Sequence, residues 1–147
     1  MHAEDMAEEF PVITVDTNAL DAARILAEHR LPGILVTDKS GRPYAVLPAS
    51  QVVRFIVPTY VQDDPSLAGV INESWADKAA AKLGDKKVHD VLPEHLTDIP
   101  AVNADDTIIE VAALMARFRS PLIAVMKDEK LHGVITASRL LDAALRP

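Results

Sequence analysis

The stretch "ADDTIIEVAALMARFRSPLIAVMKD", Ala104 to Asp128, reads as a helix, a proline and a buried strand in direct succession. Ile108, Val111, Ala112 and Met115 recur at helical spacing and form one apolar stripe. The Asp/Thr cluster before them supplies the oxygen-bearing side chains that cap a helix start. Pro121 pushes the residue before it out of the α region, so the helix is expected to end there. "LIAVM" is too short for a helix and is bounded by turns, which predicts a buried strand.

The same succession occurs earlier, in "VDTNALDAARILAEHRLPGILVTD", Val15 to Asp38. Aligning Pro32 with Pro121 gives a shift of 89 residues. Ile13 then falls on Val102, Asp16 on Asp105, Leu20 on Ile109, Leu26 on Met115, Ile34 on Ile123 and Val36 on Val125. After the next turn the shift is 88, and "AVLPASQVVRFIV" (Ala45 to Val57) overlays "GVITASRLLDAAL" (Gly133 to Leu145). Such self-similarity marks an internal repeat. Each copy adds a short leading strand (Pro11 to Val15; Ile99 to Ala104), a hairpin-type turn, a third strand and a closing helix. The fold class predicted is α/β of the α+β type, two β-α-β-β-α units. The expected boundaries are 1–57 for the first unit, 58–86 for a connector insert and 87–147 for the second unit.

In the insert, Asp64 and Pro65 read as an N-cap with proline at the first helical position. Leu67, Val70, Ile71, Trp75, Ala79 and Leu83 follow at helical spacing, and Gly84 stands where a left-handed cap would fall. One amphipathic connector helix is expected there, with Trp75 in a packing role.

With 25% charged residues and a net charge of -7, the chain is globular in composition and a poor candidate for a nucleic-acid surface. It has no cysteine, so disulfides and thiolate metal sites are excluded. His2, His29, His89, His95 and His132 form no i, i+4 pair on a predicted helix, and no metal site is expected. "MHAEDMAEEF" is acidic and lacks a secretory apolar core, and no apolar run is long enough to span a membrane. A soluble, cytoplasmic protein without membrane insertion is expected. No nucleophile elbow, P-loop or glycine-rich nucleotide fingerprint is present, so no enzyme activity is expected.

At this point the chain resembles a tandem pair of cystathionine-β-synthase (CBS) domains, a Bateman module. "KVHDVLP" (Lys87 to Pro93) resembles that family's opening segment. "IPAVNADDTIIEVAALMARFRSPLIAVMKDEKLHGVITASRLL" covers nearly its whole pattern, and the first copy is more diverged. The resemblance implies pseudo-two-fold symmetry, with clefts between the units. It implies a regulatory ligand such as AMP, ADP, ATP or S-adenosylmethionine, no required cofactor, a homodimer, and an effector protein regulated in trans. An adaptor or dimerisation module without a ligand is the alternative.

The family closes each unit with a G-h-h-T-x-x-D element whose Asp holds ribose hydroxyls. The second copy keeps Gly133 and Thr136, but its Asp position is Arg139; the first has Ala45, Pro48 and Gln51. The candidate ligand residues are therefore Gly133, Thr136, Ser138 and Arg139, with Ile99, Pro100, Pro121 and Leu122, and from the first copy Val12, Ser50 and Gln51. For Arg139 two readings stand: it faces a ligand phosphate or carboxylate, or it pairs locally, with Asp142 for example. Phe55 and Phe118 fall off their helix stripes and are expected to be exposed partner contacts.

Overall fold

A computed structural model describes residues 1–70, 74–93 and 101–146. The first unit contains β1 (Val12–Thr14), α2 (Ala19–Glu28), β2 (Gly33–Thr37), β3 (Pro43–Pro48) and α3 (Ala49–Ile56), preceded by a short α1 (Ala3–Met6). The second contains β4 (Ala101–Asn103), α7 (Ile108–Phe118), β5 (Leu122–Lys127), β6 (Lys130–Thr136) and α8 (Ala137–Ala144), preceded by a short α6 (Val88–Val91). Between them lie α4 (Thr59–Asp63), a 3-10 helix (Pro65–Val70) and α5 (Trp75–Gly84).

Each unit has a three-stranded sheet, in the orders β1-β2-β3 and β4-β5-β6. The first pair of strands is parallel and the second antiparallel in both. Val12 stands opposite Leu35 as Ala101 stands opposite Ala124, and Ile34 opposite Leu47 as Ile123 opposite Ile135. Both hairpins carry a register irregularity at the equivalent place, Val36/Thr37 and Val125/Met126. The residue lost between the copies thus lies in the turn beyond it.

The strand alternation explains why "GILVT" and "LIAVM" are apolar throughout. Successive side chains point to opposite faces of a strand. Ile34 and Val36 enter the first unit's core, Ile123 and Val125 the second's. Leu35, Leu122 and Ala124 point the other way, into a shared layer with Val134, so the two sheets pack face to face. Gly33 lies in this joint: a Cβ there would stand 3.0 Å from Pro121 Cγ, so the second unit's proline closes on bare backbone.

The short helices are exchanged between the units. Ala3 and Met6 of α1, at the start of the first unit's sequence, are buried in the second unit's core. Val88, Val91 and Leu92, at the start of the second unit's sequence, are buried in the first unit's core. Both helices start alike, the His2 N–H donating to Asp5 (2.9 Å) and the Lys87 N–H to Asp90 (3.0 Å). That bond is the main cause holding the Asp90 carboxyl below the usual carboxylate range.

Three expectations change. The long helices do not run to Pro32 and Pro121. They end at Glu28 and Phe118, where Arg30 (φ 51°) and Arg119 (φ 50°) turn left-handed. Leu31 N–H then reaches back to Leu26 O (2.9 Å) and Ser120 N–H to Met115 O (3.3 Å), closing each end in the six-to-one manner of a left-handed cap. The insert is not one helix. Asp64 does cap, accepting from Ser66 N–H (3.2 Å), but the segment it opens is the 3-10 helix. Gly84 is the last residue of α5 rather than a left-handed cap. Its carbonyl accepts from Asn18 Nδ2 (2.9 Å), tying the insert to the start of α2. Ile71 lies outside the described residues.

Candidate functional site

Strand β6 feeds directly into α8 at Thr136. The Thr136 hydroxyl accepts from Arg139 N–H (3.2 Å) as a helix cap and lies 3.1 Å from the Ser138 hydroxyl. Ala137 N–H donates to Pro121 O (3.0 Å), just as Ala49 N–H donates to Pro32 O (3.0 Å) in the first unit. Thr136, Ala137, Ser138 and Pro121 form one wall of a cleft of about 490 Å³. The other wall comes from the first unit's sequence: Glu8, Phe10, Arg30, Leu31 and Pro32. That volume falls in the roughly 300–1,000 Å³ range of small-molecule sites.

Arg139 is not on the cleft wall. Its side chain is 24% exposed and runs to the end of α1. Nε lies 3.4 Å from Met6 O and Nη2 3.5 Å from Asp5 O. Nη1 meets Asp142 at 3.3 Å, and Nε stands 3.7 Å from Glu8 Oε1. A cation is disfavoured at the start of α8, but these carbonyls at a helix C-terminus favour it. The local pairing with Asp142 is present, and the anion on the cleft side is the chain's own Glu8. Gln51, the equivalent residue, does the same: its Nε2 donates to Val91 O (3.0 Å) at the end of α6. Both positions therefore hold a donor that ties down the exchanged helix. A carboxylate has no proton to give there.

Gly133 serves the same exchange. Glu8 and Val134 trade backbone hydrogen bonds (2.9 and 3.0 Å). A Cβ on Gly133 would stand 3.0 Å from Glu8 O and 3.1 Å from Ala7 Cβ. Of the other candidate residues, Leu122 is buried between the sheets and Val12 is 40% exposed on β1. Ser50 and Gln51 start α3, and Ile99 and Pro100 lie outside the described residues. The cleft thus gathers Thr136, Ser138 and Pro121. It adds Glu8 and Arg30, which sequence reasoning missed. A signal for Arg30 existed: it overlays Arg119 at the 89-residue shift.

Phe55 and Phe118 are half-buried rather than exposed. Phe55 packs against the first core, with Lys82 Nζ 4.6 Å from its ring centre. Exposed apolar side chains on the repeats' helices include instead Val53, Ile109 and Leu141, with Leu145 at the end of α8. Among the described residues no helix is long and apolar enough to cross a membrane, and no three His, Asp or Glu side chains converge as metal ligands.

A family profile described as CBS domain matches residues 3–58 and 88–146. The chain belongs to the CBS-domain family and carries two such domains. It is similar to a CBS domain-containing protein of unknown function from Kribbella flavida DSM 17836, at 55% identity over 99% of both chains and a TM-score of 0.89. The fold also matches TA0289, a conserved CBS domain protein of unknown function from Thermoplasma acidophilum. There the identity is 20%, over 99% of this chain and 70% of that one, with a TM-score of 0.67. CBSX2, solved in complex with AMP, matches at 21% identity, 98% and 96% coverage and a TM-score of 0.66. Comparison with curated proteins gave no match.

Proposed function

We propose that this CBS pair is a cytoplasmic regulatory module that binds an adenine nucleotide, or a related anionic ligand, and acts on a separate effector in trans as a homodimer. One observation carries the reading: the cleft draws its walls from both domains, so a ligand there touches both and favours one arrangement of them. Differential binding to two arrangements is what regulation requires. The structural neighbour CBSX2 holds AMP, which makes adenylates the first class to try. The exposed apolar residues on α7 and α8 suit a second copy.

Titration calorimetry and thermal unfolding with AMP, ADP, ATP and S-adenosylmethionine test it. A true ligand at a hundredfold excess over Kd raises stability by about 2.7 kcal/mol. A second reading, an adaptor without a ligand, is favoured by Arg139 and Gln51, which both serve internal helix ends. It stands if none of the four compounds binds.

A further inference from the structure

The repeat compares the two exchanged helices residue by residue. Each is moored to the domain it packs on by the same two backbone bonds. In the second domain, Ala3 N–H donates to Asp106 O (2.8 Å) and Glu4 N–H to Ala104 O (2.9 Å). In the first, Val88 N–H donates to Thr17 O (2.8 Å) and His89 N–H to Val15 O (3.1 Å). His89 is thus the counterpart of Glu4, and Asp38, just past β2, is the counterpart of Lys127 at the 89-residue shift. In the second domain these side chains meet: Lys127 Nζ donates to Glu4 Oε2 at 2.8 Å and clasps α1 to the hairpin. In the first domain the signs are exchanged, with the acid on the turn and an imidazole on the helix. The two form no ion pair with each other among the described residues. A cleft of about 500 Å³ lies there instead, lined by Val15, Asp38, Lys39, Ser40, Tyr44 and His89.

The two ends of the missing clasp are prepared. Asp38 Oδ1 accepts from Ser40 N–H (2.9 Å), the Ser40 hydroxyl (2.7 Å) and Arg42 N–H (3.0 Å). The turn therefore fixes the carboxylate and leaves its other oxygen to spare. The Ser40 hydroxyl is the main cause holding this carboxyl below the usual carboxylate range. Asp16, between β1 and α2, stands 3.7 Å from Lys39 and 4.0 Å from Lys87, so those three charges answer one another. Asp90, on the same helix as His89, lies 3.1 Å from His89 Nδ1 and accepts from Lys87 N–H. Tyr44 of β3 completes the surroundings of the imidazole.

We propose that Asp38 and His89 form a proton-operated clasp: protonated His89 closes on Asp38 and tightens α6 onto the first domain, and neutral His89 releases it. An imidazole changes charge between about pH 5 and pH 8. A lysine–glutamate pair keeps both charges over that interval. The second domain's clasp is therefore permanent and the first domain's conditional. The stretch it acts on also carries the insert: Asn18 Nδ2 donates to Gly84 O (2.9 Å) and Ala19 N–H to Lys86 O (2.9 Å). Tightening α6 thus helps to hold α5 over the first domain. The sign follows from linkage. A histidine that gains a carboxylate partner on folding stabilises the folded state on the acid side, and that stabilisation is lost as pH rises. None of this depends on the nucleotide reading.

Amide hydrogen exchange of the full chain at about pH 5.5 and about pH 8, either side of the imidazole range, tests it. The readout is the protection factor, in which the intrinsic pH dependence of exchange cancels. Protection of the Val88, His89 and Leu92 amides should be about two- to fivefold higher in acid, the effect of one exposed ion pair. His89→Gln should abolish the difference, and His89→Lys should hold the higher value at both pH values. Asp38→Asn keeps an acceptor oxygen for the turn and removes the charge, so it should abolish the difference as well. In the alkaline sample, where the clasp is open, Asp38→Asn and wild type should agree. A difference that survives Asp38→Asn but vanishes in Asp90→Asn would belong to the neighbouring carboxylate on α6 and overturn the clasp. Equal wild-type protection at the two pH values would overturn it too.

Discussion

The two domains share one fold and wear different covers. On the first, α5 lies over α2 and α3: Ala79 and Leu83 are buried, Lys82 donates to Phe55 O (2.8 Å), and Leu20 is packed against the core. On the second, Ile109, the counterpart of Leu20, is 74% exposed, and Leu145, the counterpart of Val57, is 77% exposed. The insert therefore does for the first domain what none of the other described residues does for the second. One pair is unaffected, since Val53 and Leu141 are both 56% exposed. The asymmetry comes from residues 58–86 and not from drift in the repeat itself.

The exchange of α1 and α6 gives the largest expected effect. Met6 is fully buried in the second domain although it precedes the first domain's strands. Met6→Ala should cost about 2–5 kcal/mol, the range for truncating a buried side chain to alanine. Hydrogen exchange should then accelerate in β4 to β6 before β1 to β3. Val91→Ala should show the opposite order, because Val91 belongs to the first core. Equal acceleration of both sheets in either variant would mean that the domains unfold as one unit and that the exchange is not read locally.

The next effect compares the two donors. Arg139→Ala should cost about 1.5 kcal/mol, the low end for hydrogen bonds to a charged group, because its contacts to Met6 O and Asp5 O are long. Gln51→Ala should cost about 1 kcal/mol, the value of one neutral hydrogen bond. Urea unfolding of both variants measures the difference. Arg139→Gln should recover part of the loss, since Gln51 shows that an amide suffices at the first domain's helix end.

How much of this was legible follows from the range of each signal. The repeat, the strands and the order of elements within each unit came from period and proline spacing, which are local; which face of each strand meets which core did not. The pairing of Arg139 with Asp142 was legible nearby, but the helix-end carbonyls it meets, Met6 O and Asp5 O, lie 133 and 134 residues away in sequence, and no pattern near position 139 points to them. The short helices of four residues each are below the length at which an apolar stripe can be read. Their packing on the opposite domain is a tertiary choice. The helix ends misled for another reason. Proline is a strong stop signal, but the stop is made earlier by arginines in a conformation usually assigned to glycine. Gly84 is the reverse case: it sits where a left-handed cap belongs and stays helical.

The smallest effect separates the two covers most directly. Leu20→Ala removes a half-buried side chain under α5 and should cost about 1 kcal/mol, less than a full core truncation. Ile109→Ala removes an exposed one and should stay within about 0.5 kcal/mol in dilute protein. The two variants should diverge again with concentration. If a second copy covers α7 and α8, light scattering will show wild-type dimers, and Ile109→Asp will shift them toward monomer by placing a charge in an apolar contact. Leu20 variants should leave the dimer alone, because α5 already covers that face. A wild-type monomer at every concentration would sink the second-copy assignment. The bare face of the second domain would then be open to a different protein, with the insert as the device that keeps the first domain out of the contact.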